Sequence, residues 1–154
     1  MNETPETMAR LQQIIDRSAA TAGPGIRAHL LGEGWTMSAE EFVRFWGEGR
    51  MASIATVSAK GSLHAAPLDV WLEDGVFHVP TYADAIRLQD HQANPRCVIT
   101  SWEDAYRVAV VYGVAKAGPG PEVVDVEVSP TRIYAIMPPA GHPAFRQNTE
   151  GQRA

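Results

Sequence analysis

Apolar residues recur along this chain with two different periods, and the change between them falls near residue 50. Upstream, Met8, Leu11, Ile14 and Ile15 stand three and four apart, which predicts an amphipathic helix over residues 6–20 that ends before Gly23-Pro24-Gly25. A second helix is signalled by Ser38 and Glu41 at the spacing of a capping box, followed by Phe42, Phe45 and Trp46 on one face up to Gly47.

From Arg50 onward the pattern is that of strands. Met51 to Val57 is rich in β-formers, Ala59-Lys60-Gly61-Ser62 reads as a turn, and Leu63 to Leu72 forms the next strand. Asp74-Gly75 then supplies a tight hairpin into Val76 to Pro80, so these three segments are expected to be neighbours in one antiparallel sheet. Ala83 to Ala93 has helical character, and Asn94-Pro95 stops it because the residue before proline is pushed out of the α region. Further strand character lies in Cys97 to Trp102, in Tyr106 to Lys116, and in the alternating Val124, Val126 and Val128 followed by Arg132 to Met137. The reading is mainly β with flanking helices: a closed or split antiparallel β-barrel of about six strands. It divides the chain into an N-terminal helical extension (1–37), a barrel domain (38–137) and a Pro-, Gly- and Gln-containing tail (138–154).

Composition narrows the function classes. At 154 residues, 45% hydrophobic and 20% charged, the chain suits one ordinary globular domain. A net charge of −5 gives no reason to expect nucleic acid or an anionic membrane surface as a partner, so an anionic ligand would need a local basic site. Cys97 stands alone and cannot form an intramolecular disulfide. There is no apolar run of roughly 18 residues to span a bilayer, and the N-terminus lacks a basic start followed by an apolar stretch; a cytoplasmic location is expected. No Gly-rich phosphate loop opens a helix, and no serine occupies a nucleophile elbow.

With the elements in order, the segments RMASIATVSAKGSLHAAPL, GVFHVPTYADAIRLQDHQANPR and YRVAVVYGVAKA resemble the FMN-binding split-barrel superfamily typified by pyridoxamine 5'-phosphate oxidase. The likeness covers about residues 38–137. It implies a flavin-dependent oxidoreductase acting on a small planar substrate, a homodimer, and FMN held between the subunits. Arg87, eight positions before Pro95, stands where the family has a phosphate-binding cation. A guanidinium suits that role because it can give two parallel hydrogen bonds to phosphate oxygens. The resemblance places further cofactor contacts at Thr56, Pro67, Leu68, Asp69, Thr81, Tyr82 and Arg107, and a catalytic His64 beside the ring.

The sequence also departs from the oxidase. Ala85 and Ile86 replace the Ser and Arg that flank the phosphate cation, Val108 replaces a Gln after Arg107, and Ala66 or Pro67 replaces a basic residue. Oxidation of pyridoxamine phosphate is therefore not expected. The deazaflavin F420 or haem stand as alternative cofactors, and non-catalytic ligand binding as an alternative role. Strand parity puts His64 on the face of Phe77 and Val79 and His78 on the opposite one with Asp69 and Trp71. The two histidines therefore make a poor pair of metal ligands, and no zinc pattern exists; Asp69 and His78 share a face, either as a charge-assisted pair at a dimer face or as a solvated one.

Overall fold

The computed structural model describes residues 3–29, 31–32, 34–103 and 106–143; most of the expected tail, 144–154, lies outside the described residues. Helix α1 spans Pro5–Ala20, with Thr4 as its N-cap accepting from the Thr7 amide and proline in the first turn, where a missing N–H costs nothing. Its apolar stripe, Leu11, Ile14 and Ile15, is buried against α3 and β6. Ser18 ties it down further, donating to Ile14 and accepting from the Ile133 amide at 3.0 Å. A short α2, Pro24–His29, starts at the proline read as a break, since proline is well tolerated as a first helical residue. In α3, Ala39–Trp46, the Ser38–Glu41 capping box is present in both directions.

Six strands follow: β1 Arg50–Val57, β2 Leu63–Glu73, β3 Val76–Tyr82, β4 Arg96–Trp102, β5 Val108–Ala117 and β6 Val123–Ile136. They close into an antiparallel barrel in the order β1-β2-β3-β6-β5-β4, with β4 pairing back onto β1. At the β2–β3 hairpin Asp74 and Gly75 both have positive φ, 51° and 71°, the signature of a type I′ turn. The hairpin fixes the register Trp71↔His78 and Leu72↔Phe77, so the expected parity holds. Inward positions carry the core: Ala52, Ile54, Val70, Leu72, Phe77, Val79, Ile99, Val111, Val126 and Val128.

The pairing of β2 with β3 ends after only three residue pairs, at Trp71 opposite His78. Beyond that point the start of β2 pairs with β1, and the end of β3 pairs with β6. The helix after β3 packs against β1, β3 and β5 beside this split. This helix, α4, spans Ile86–Ala93, three residues shorter than the sequence suggests. The Ala85 amide closes a turn onto the Tyr82 carbonyl, which holds Ala83 to Ala85 out of the helix. The last two strand-like segments form one strand, β6, whose register against β5 shifts between Tyr112 and Gly113. Gly113 sits there because a Cβ would collide with Val128 and come within 2.9 Å of the Ser129 carbonyl. Gly113→Ala is expected to destabilise the barrel by about 1–3 kcal/mol through overpacking, measurable by denaturant unfolding with an unchanged m-value.

Candidate functional site

A cleft of about 500 Å³ opens where β2 leaves β3, walled by Ile54, Thr56, His64, Ala66, Ile86 and Arg87. Thr56 and His64 face it together because they are register partners on the inward faces of β1 and β2. Between them α4 inserts Asp90, which is 3% exposed. One carboxylate oxygen of Asp90 accepts from the Thr56 hydroxyl at 2.6 Å and lies 2.7 Å from Nδ1 of His64. Burial alone would push the Asp90 carboxyl up. The Thr56 and His64 hydrogen bonds, with the positive charge available on His64 and His91, outweigh burial and hold it below the ordinary carboxylate range. A buried carboxylate that favours its anionic form thus stands behind the Thr56 and His64 wall of the cleft.

Arg87 closes the other side. Its Nε donates to the Thr81 hydroxyl at 3.2 Å, while Thr81, fully buried in β3, itself donates to the Val79 carbonyl. Partial burial pushes the guanidinium below its usual value, but an arginine starts so high that it stays charged. Among the described residues no carboxylate pairs with it. A half-buried cation without an acidic partner, anchored through one nitrogen, leaves its remaining donors for an anionic ligand.

No family model matches the sequence, and no curated protein matches it significantly. Solved structures do match. A candidate pyridoxamine 5'-phosphate oxidase of Listeria innocua superposes with a TM-score of 0.57 at 10% identity, over 62% of this chain and 95% of its own. General stress protein 26 of Bacillus anthracis gives 0.58 at 20% identity, over 65% and 95%. The haem storage protein HutZ of Vibrio cholerae gives 0.56 at 14% identity, over 63% and 93%. The chain is a split barrel. Identities this low establish the fold and leave the ligand to be argued from the site itself.

This split barrel brings four of the residues singled out in the sequence to one place: Thr56, His64, Thr81 and Arg87. Leu68 lies on the inward face of β2 but packs against the core. The remaining four are elsewhere in the chain. Pro67 borders a shallow outer groove with Met51 and Trp102, Asp69 is exposed on the outer face of β2, and Tyr82 is 66% exposed at the end of β3. Arg107 lines a separate groove with Met37, Phe45 and Met137, 3.6 Å from Glu103. His78 does not pair with Asp69: it bonds Asp125 on β6 at 2.7 Å and stacks on Trp71, because β6 is its neighbour across the ladder. Cys97 is buried and its thiol is pushed up to about 12, so it carries no thiolate chemistry at neutral pH.

Asp90 is the residue the sequence reading missed. The available signal was its place on α4, three positions after Arg87 and so on the same side of the helix. His91 beside it is 6% exposed, and neither ring nitrogen has a hydrogen-bond partner. Burial is the main cause that pushes its imidazole down; the nearby Arg87 charge adds to this, while Asp90 opposes it. The folded state therefore resists protonation that the unfolded chain accepts. Stability contributed by neutral His91 is complete above the unfolded value of about 6.5 and is lost as pH falls from there through the depressed folded value. His91→Leu is expected to flatten the decline in thermal midpoint between neutral and mildly acidic pH.

Proposed function

We propose that this split barrel is an oxidoreductase that binds FMN in the cleft between β1, β2 and α4 and acts on a small planar substrate. The observation that carries the reading is Arg87: a half-buried cation in a cleft, fixed by Thr81 and lacking an acidic partner among the described residues. The residues present fit a phosphorylated aromatic group. Arg87 would hold the phosphate. The apolar rim formed by Leu63, Ala65 and Ile86, with Leu63 79% and Ile86 60% exposed, would cover a flat ring system and gain from leaving water. His64 would face the ring edge or the substrate and handle a proton. Bound FMN supplies the redox chemistry, for which no side chain of the cleft is equipped.

The test is binding combined with turnover. Titration of the protein into FMN is expected to quench flavin fluorescence saturably, and the complex is expected to pass electrons from NAD(P)H to an acceptor faster than FMN alone. Binding without turnover would make the protein a sequestering or sensing module. F420 binding tighter than FMN would move the reading to the deazaflavin.

A homodimer completes the proposal. On the outer face of β1, β4 and β5, Tyr112 and Val114 are each 42% exposed and border a groove of about 680 Å³ with Leu63 and Val98. Apolar surface of this kind is expected to be covered in a stable assembly. Sedimentation equilibrium is expected to give twice the chain mass, and Val114→Glu to shift it toward one.

Haem is the second reading, favoured by one specific feature. A His whose Nδ1 is tied to a carboxylate presents Nε2 in the arrangement that orients metal-bound imidazoles. Hemin titration distinguishes the two: a Soret shift that His64→Ala abolishes would support haem, whereas a response indifferent to that substitution would remove it.

A further inference from the structure

We propose that Asp90, held by Thr56, is a positioning residue that locks His64 in its Nδ1–H tautomer and so presents the Nε2 lone pair to the cleft as a proton acceptor. The inference rests on the cleft being a ligand site. Its argument is geometric. Thr56 is 1% exposed on β1 and Asp90 is 3% exposed on α4, so neither side chain has room to turn to water. The hydroxyl of Thr56 and Nδ1 of His64 converge on the same oxygen, Oδ2, at 2.6 and 2.7 Å. A carboxylate oxygen only accepts, so a lone pair on Nδ1 at that distance would oppose another lone pair. Nδ1 therefore carries the hydrogen, and in the neutral ring the second nitrogen cannot.

The consequence concerns the ligand. The His64 side chain is 40% exposed while Asp90 is not, so the cleft meets the imidazole and never the carboxylate. A protic ligand brought to Nε2 offers it an N–H or O–H. When that proton transfers, the X–H bond breaks, an Nε2–H bond forms, and the ligand keeps the electron pair as an anion. The resulting imidazolium lies against anionic Asp90, and Arg87 across the cleft faces the anion. The other titratable group on this side of α4 is His91, whose imidazole burial pushes down. The sequence reading gave His64 this neighbourhood without its partner; the partner decides which nitrogen is available.

The test uses the full chain with ¹⁵N-labelled histidine, His64 being assigned by the signal lost in His64→Gln. In the wild-type protein with the His64 ring neutral, Nδ1 is expected to carry the proton and Nε2 to have the shift of an unprotonated nitrogen. In Asp90→Asn, whose amide can donate as well as accept, the tautomers are expected to mix. Thr56→Val removes one of the two donors on Oδ2 and is expected to leave the His64 tautomer as it is in the wild type. A wild-type ring protonated at Nε2, or an even mixture, overturns the proposal without any variant having to fold; so does an Asp90→Asn protein with an unchanged tautomer. The measurement needs no cofactor. If FMN fails to bind while the Nδ1–H tautomer is found, the cofactor reading falls and this one stands; if FMN binds to a protein with mixed tautomers, the reverse holds.

Discussion

Arg87→Ala is expected to weaken FMN binding by about 10- to 100-fold, the equivalent of the roughly 1.5–3 kcal/mol carried by a hydrogen bond to a charged group. The size follows from the surroundings. Arg87 is the cation of the cleft, its Nε is already committed to Thr81, and Ala85 and Ile86 beside it can give an anion no side-chain donor. Little would compensate for its loss. Arg87→Lys keeps a charge but loses the planar fork and the Thr81 anchor, so an intermediate affinity is expected. Flavin fluorescence titration reads both, and thermal unfolding of the two variants separates a lost contact from a lost fold. An Arg87→Ala protein that binds FMN as the wild type does would place the phosphate elsewhere.

Phe77→Ala is expected to be the most damaging single change to the fold, costing about 3–5 kcal/mol. Phe77 is fully buried on β3, at the centre of a cluster in which its ring stands 4.8 Å from Trp46 and 6.1 Å from Phe42, both edge-on. The cluster joins α3 to the barrel at the hairpin that sets the β2–β3 register, so the cavity would open where two elements depend on one side chain. For a chain of this size the loss corresponds to a fall in thermal midpoint of roughly 6–20 °C. Trp102→Ala, at a large but 62% exposed ring, is the control and is expected to stay within about 0.5 kcal/mol.

These two residues also show where the sequence was legible. Phe77 could be placed because period-2 alternation and an Asp-Gly turn together fix both register and face, and a face is all that burial requires. The capping box at Ser38 and the proline stop after α4 were readable for the same reason: each is a local rule satisfied within a few residues. Arg87 was placed by resemblance alone, and in the structure it lines a cleft. Where Arg107, just ahead of β5, falls relative to β2 depends on the stagger of the whole barrel, and no local pattern reports stagger. Arg107 came to rest over a separate groove beside Glu103. Asp90 lies 34 residues from Thr56 and 26 from His64, and a lone carboxylate in a polar helix reads as solvated surface until the packing of α4 beside the split is known. His78 illustrates the limit from the other side: its face was right, but its partner came from β6, a strand whose adjacency the linear pattern does not state.

The proposed function turns on the cleft beside Arg87 and His64 holding a flavin. The most direct measurement is a visible absorption spectrum of the purified protein after saturation with FMN and removal of excess, followed by mass spectrometry of the material released on denaturation. Flavin bands that accompany the protein are expected, with a released mass equal to FMN and about one flavin per chain, the retained flavin being diminished in Arg87→Ala. A protein that emerges colourless, or that retains haem in preference to FMN, would contradict the proposed function.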